Sequence, residues 1–238
     1  MVGWLREGDP ALFPRANPVR ILDFPLLEVA LSPSKPGKNG EKQRENGERQ
    51  GGKGAKVLRK HGVFRALMPQ KWEEGAQKQG IFPVQALPLY RALGGRLCLK
   101  LLEGVPPRHR RVVLRGKKVD AVAQALALAL CPQATLILEF EEGETALAQR
   151  LRRTYGAPPL DRAWGESAQV AVELSPPAVE GPLPQGAHRL KLWGEADLAG
   201  LTLDCPENLP PDLPRDPFLA LLWESGRLKP EEIGISGP

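Results

Sequence analysis

The stretch that most constrains this chain is 111-RVVLRGKKVDAVAQALALALCPQATLILEF-140. An apolar run reaches a glycine, a helical pattern follows at once, and a second apolar run closes the unit. The spacing predicts a strand over 111–115, a helix over 118–130 and a strand over 135–140. The helix is apolar nearly all round, so it must be deeply covered. The second run has the unbroken apolarity of a buried parallel strand. Strand, helix and parallel strand in this order form a βαβ unit, which commits the chain to an α/β fold.

The rest of the 238 residues extends that pattern. Strands are expected at 26–31, 63–69, 168–174, 189–193 and 200–205. Short helices are expected at 55–62 and 71–80, and longer ones at 88–104, 143–156 and 217–226. Pro88 suits a first helical turn, and Leu89, Leu93, Leu97 and Leu101 recur on one face. Gly94 and Gly95 weaken that helix by about 1 kcal/mol each relative to alanine, which points to close packing there. Asp216 is expected to cap the last helix, with Gly226 as its stop. The 25 prolines are about twice the usual share of roughly 5% and fall mostly in connections. The expected fold is α/β: a mostly parallel, Rossmann-like sheet covered by helices over 106–238, and a smaller N-terminal α/β portion over 1–105. Pro106–Pro107 marks the expected boundary.

Residues 33–56 stand apart. They carry seven basic and three acidic residues, a net of +4 out of +5 for the whole chain, so the remainder is nearly neutral. With six glycines and no large apolar side chain, the segment is expected to be a disordered basic insertion. It could touch a polyanion, but no aromatic side chain is present for stacking. Nucleic acid is therefore disfavoured as a partner.

The turn 114-LRGKKVDA-121 is where such folds hold phosphate. A dinucleotide site needs several glycines. Here Gly116 is alone, with Lys118 and Ala121 where others should fall, and no Walker loop occurs. Lys117 and Lys118 add positive charge at the expected helix start, so an anion could bind. Glu139, Glu141 and Glu142 end or follow the next strand, 23 to 26 residues past Gly116. That is close to the usual distance of about 20 for a ribose-binding acid. Gly116, Lys117, Lys118 and Glu139 are the candidate cofactor-binding residues, although the sequence does not specify which cofactor.

The alternation from Arg111 to Trp193, with 57-VLRKHGVFRALMP-69, 130-LCPQATLILEF-140 and 220-ALLWESGRLKPEEI-233, resembles uncharacterised proteins of anaerobic Gram-positive bacteria with a degenerate Rossmann-like fold. The matching pieces are packing segments, so the resemblance implies a fold and carries over no catalytic residue.

Other chemistry is largely excluded. Cys98, Cys131 and Cys205 lie far apart and form no C-x-x-C, which argues against a disulfide framework or a structural zinc site. His61, His109 and His188 are isolated, and neither H-E-x-x-H nor G-x-S-x-G occurs. Arg108, Arg110, Arg111, Arg115, Lys117 and Lys118 form a basic cluster, read as strand flanks. No apolar run reaches the roughly 20 residues that span a bilayer, and no signal peptide is recognisable. The expected location is cytoplasmic. Two functions follow: a Rossmann-like protein that binds, with an anionic small molecule as partner and no conventional catalysis, or a nucleotide- or cofactor-dependent enzyme with a divergent site. Nothing in the sequence sets an oligomeric state.

Overall fold

The computed structural model describes residues 1–8, 14–32, 40–176, 185–205 and 208–237. The chain divides into two compact units, Met1–Ala86 with Cys205–Lys229, and Leu87–Asp204 with Pro230–Pro238.

The first unit contains β1 (Val2–Glu7), β2 (Ala16–Ile21), β3 (Phe24–Leu31), α1 (Gly40–Lys60), β4 (Arg65–Leu67), α2 (Glu73–Gln77) and β5 (Phe82–Pro83). The second contains α3 (Leu87–Leu101), β6 (Arg111–Lys118), α4 (Ala121–Leu130), β7 (Thr135–Glu142), α5 (Glu144–Tyr155), β8 (Val170–Glu173), β9 (His188–Lys191) and β10 (Thr202–Asp204). The chain then returns to the first unit for α6 (Arg215–Glu224) and ends in the second with β11 (Gly234–Ser236).

The expected α/β architecture is present, with parallel sheets flanked by helices. The first sheet has the order β2-β3-β1-β4-β5, parallel throughout except for the β2–β3 hairpin. The second has the order β7-β6-β8-β9 and is wholly parallel. The expected strand at 200–205 forms as β10, but it pairs antiparallel with β11 in a sheet of its own. No helix among the described residues is long and apolar enough to cross a membrane.

Two expectations change. The first is the boundary: it lies at Ala86/Leu87 rather than at Pro106–Pro107. Helix α3 belongs with β6 because its glycines let it approach its neighbours. A Cβ at Gly94 would sit 3.1 Å from Leu192 and 3.4 Å from Leu126. Pro107 merely opens a 3-10 turn, Pro107–His109, that leads into β6. Among the described residues the N-terminal portion also carries the larger sheet, five strands against four.

The second is the basic segment. Residues 33–39 lie outside the described residues, but 40–60 form α1, a helix of 21 residues. Its glycines, read from composition as a sign of disorder, are packing residues. A Cβ at Gly51 would overlap the Trp72 carbonyl oxygen, and one at Gly75 in α2 would overlap that of Glu48. Missing side chains thus bring α1 and α2 together backbone to backbone. Ala55 and Leu58 then reach a core of Leu5, Val29, Trp72, Ala76 and Ile81. The charges face outward: Arg44, Arg49, Lys53, Lys56, Arg59 and Lys60 are all exposed.

Candidate functional site at the end of the second sheet

In the order β7-β6-β8-β9, β6 is the first strand and is flanked by the second and the third. One crossover leaves β6 toward β7, and the next returns past it to β8. Open α/β sheets bind ligands in the crevice at such a switch point, outside the carboxyl ends of the strands.

Locally, β6 runs three residues beyond the expected end at Arg115. The ladder with β7 starts at Arg111↔Thr135 and continues through Gly116↔Phe140 to Lys118↔Glu142. Gly116 therefore lies within a strand and not in a phosphate-holding turn. Its missing side chain makes room for Ser175, whose Oγ would lie 2.7 Å from a Cβ there. That oxygen accepts the Lys117 N–H at 2.6 Å. Helix α4 starts at Ala121, not 118, because Asp120 caps it: Oδ1 accepts the Ala123 N–H at 2.8 Å. A carboxylate already sits on the helix N-terminus, where a dinucleotide fold would seat pyrophosphate.

Alternation along the strand sorts the four candidate residues. Lys117 and Glu139 share the sheet face of Arg115. Gly116 and Lys118 belong to the opposite face, where the Lys118 Nζ lies 4.0 Å from Glu142 Oε2.

On the Arg115 face the register aligns one charged residue from each strand: Glu139, Arg115, Glu173 and Lys191. Glu173 is fully buried, and Arg115 is 6% exposed. The Arg115 Nη2 donates to Glu173 Oε1. Arg189 Nη2 donates to Oε2 at 2.9 Å, and the Trp193 indole N–H points to the same oxygen at 3.4 Å. Lys191 Nζ stands 4.4 Å from the Trp193 ring centre. Burial pushes the Glu173 carboxyl upward, but the bonds from Arg189 and Arg115 outweigh it and hold it below the usual carboxylate range. The Arg115 Nε–H is buried without an acceptor among the described residues. Below this row the face is apolar: Val113, Ile137, Ala168 and Ala171 pack with Leu160. From α3, Arg91 donates to the carbonyls of Leu192 (2.9 Å) and Leu174 (3.2 Å), closing the ends of β9 and β8.

Glu173, Arg189 and Trp193 were not among the sequence candidates. The one available signal was an acid inside the apolar run 168-AQVAVEL-174, which has to be paired if that run is buried. The basic cluster is dispersed by the strand. Arg110 Nε donates to the Val105 carbonyl, and Arg111 lies 5.3 Å from the Trp164 ring centre. Arg115 is interior, and Lys117 and Lys118 are exposed at the far end. Among the described residues no group of three or more His, Cys, Asp or Glu side chains could hold a metal ion. Burial pushes the Cys98 thiol up to about 12, so it stays protonated and packs as a small apolar group.

The chain matches no protein-family model and none of the curated proteins. Among solved structures, L-tryptophan dehydrogenase from Nostoc punctiforme is similar over 63% of this chain and 44% of that one, with 16% sequence identity and a TM-score of 0.29. This chain thus spans less than half of that enzyme's length, and a likeness at that score carries no argument about the site.

Proposed function

We propose that this chain is a Rossmann-like binding protein that takes an anionic small molecule at the carboxyl end of the second sheet, without the conventional catalytic groups of such folds. The charged row carries this reading. On one face Arg115, Lys117, Arg189 and Lys191 meet Glu139, Glu141 and Glu173, which leaves one cation in excess beside a switch point. Lys117 supplies an exposed cation, and Lys118 reaches the same strand end from the other face. Glu139, whose carboxylate makes no bond among the described residues, stands beside Arg115 to orient a donor on the ligand. Gly116 supplies the room that lets Ser175 close against β6.

A thermal-shift series with pyrophosphate, citrate, ATP, NAD and NADP tests it. A ligand at one hundred times its Kd stabilises by about 2.7 kcal/mol, a readily visible shift. Stabilisation is expected from at least one of these anions and is expected to weaken in the Lys117→Ala/Lys118→Ala variant. No shift at millimolar concentration with any of them overturns the reading.

The second reading, a nucleotide- or cofactor-dependent enzyme with a divergent site, is favoured by Glu139 alone. It stands near the end of the strand after β6, where a ribose-binding acid sits in dinucleotide folds. Turnover abolished by Glu139→Ala would favour this reading over simple binding.

A further inference from the structure

A separate cleft of about 590 Å³ lies at the outer edge of the second sheet, within the 300–1,000 Å³ range of ligand sites. One wall is the face of α5 that carries Glu144, Ala148 and Arg152. The other is the segment Pro158–Asp161, and Leu138 of β7 lines the cleft as well. Leu160 pairs beside β7 in parallel, its N–H bonded to the Leu136 carbonyl at 2.8 Å. Asp161 is therefore level with Leu138, toward the carboxyl end of β7. Glu144 lies at that same end, where its carboxylate accepts the edge N–H of Phe140 at 2.8 Å. Arg152 is eight residues further along α5, about 12 Å at 1.5 Å per residue. Its exposed guanidinium makes no bond among the described residues. The cleft is thus polarised: two carboxylates at one end, one cation at the other, and the apolar side chains of Leu138, Ala148 and Leu160 between them.

We infer that this cleft binds a short peptide with both termini free, its amine toward Glu144 and Asp161 and its carboxylate on Arg152. Three extended residues span about 10 Å, which matches the separation of the charged ends. The apolar middle accepts small aliphatic side chains, and the peptide runs from the carboxyl end of β7 toward its amino end, opposite in direction to Leu160 beside β7.

The test is calorimetric titration of the full chain with Ala-Leu-Ala, N-acetyl-Ala-Leu-Ala and Ala-Leu-Ala amide. The free peptide is expected to bind at least tenfold more tightly than either capped form. Arg152→Gln, an exposed substitution that leaves the core intact, is expected to equalise the free peptide and the amide. Asp161→Asn is expected to narrow the gap to the acetylated form, and Ala148→Trp to remove binding. Equal binding of free and capped peptides, or an Arg152→Gln variant that keeps its preference for the free carboxylate, overturns the inference. The Lys117→Ala/Lys118→Ala variant is expected to bind Ala-Leu-Ala as the parent does, so the outcome is independent of the anion site.

Discussion

The two units repeat one plan. In β3-β1-β4-β5 and in β7-β6-β8-β9 the parallel strands stand in the order second, first, third, fourth. Both first strands carry a Leu-Arg step after their apolar residues, Leu5–Arg6 and Leu114–Arg115, and each arginine bonds a glutamate of a neighbouring strand. Among the described residues the buried charged side chains are Glu28, Arg115 and Glu173, all members of these two pairs. The surroundings differ. Arg6 is about one-third exposed and shared between Glu28 and Asp212, so acids outnumber it. Arg115 is interior, and its glutamate is also bonded by Arg189. The same topology therefore holds a partly exposed, acid-neutralised arginine in the first unit and a buried, cation-rich row in the second. Of these two arginine sites, the second is the one where cations outnumber acids among the described residues.

The largest test of this contrast removes each glutamate. Glu173→Ala leaves Arg115 buried without its partner, at a cost of about 3–5 kcal/mol. Glu28→Ala leaves Arg6 with water and Asp212 and is expected to cost less than half as much. Denaturant unfolding of both variants measures the difference, and equal losses would erase the distinction between the units. An Arg115→Met/Glu173→Leu double variant is expected to regain most of the lost stability, because it buries no unpaired charge.

The next effect concerns α1, of which the sequence pattern shows only the end, as a short helix at 55–62. Gly75→Ala pushes a methyl into the Glu48 carbonyl and is expected to destabilise by about 1–3 kcal/mol. Gly52 differs, because a Cβ there meets its nearest neighbour, the Gly75 carbonyl oxygen, at 3.4 Å. Gly52→Ala should therefore be neutral, or stabilising by up to about 1 kcal/mol through helix propensity. Thermal melts of the two variants separate packing glycines from tolerated ones, and matching melts would return α1 to the status of a loose insertion.

This contrast also shows what the sequence could and could not reveal. The second unit was legible because its information is local. Runs such as 135-TLILEF-140 and the Leu147/Leu151 stripe announce buried strands and amphipathic helices, and these formed close to the expected places. The first unit hides its information in contacts. Glycine in α1 reads as disorder until α2 is beside it, and β1 is masked by the polar carboxyl end of 2-VGWLRE-7. The return of 205–229 to the first unit has no local signal at all. At the site, Lys117 and Glu139 were foreseen as residues but not as members of one face. That depended on β6 continuing through Gly116, which the register with β7 decides. Glu173, Arg189 and Trp193 meet only because β8 and β9 lie side by side.

Acid titration sharpens the comparison further. The Glu173 carboxyl is held below its ordinary value in the folded chain. Its contribution is therefore fully present above the unfolded value, about 4.3, and is lost as pH falls through the lower folded value. Unfolding of the parent and of Glu173→Gln, followed from pH 7 to pH 2, is expected to show a stability gap that closes only below about pH 4. A gap that stays constant would mean that the carboxylate charge contributes nothing beyond its shape.

The smallest effect lies in a feature of the first unit by which its first two parallel strands are joined differently from those of the second. Where β6 reaches β7 through a helix, β1 reaches β3 through the β2 hairpin, whose turn is Leu22–Asp23. Both residues have positive φ, +48° and +58°, as a type I′ turn requires. A γ-branched side chain is poorly suited to that region, at a strain of roughly 1–2 kcal/mol relative to the right-handed form. Asparagine tolerates it far better. Leu22→Asn is therefore expected to stabilise the first unit by up to about 1 kcal/mol, reduced by whatever half-buried contact the leucine makes. A higher melting temperature with unchanged anion binding would show that the hairpin carries strain of its own, separate from the charged row. A lower one would mean that leucine packing in the hairpin outweighs its backbone cost.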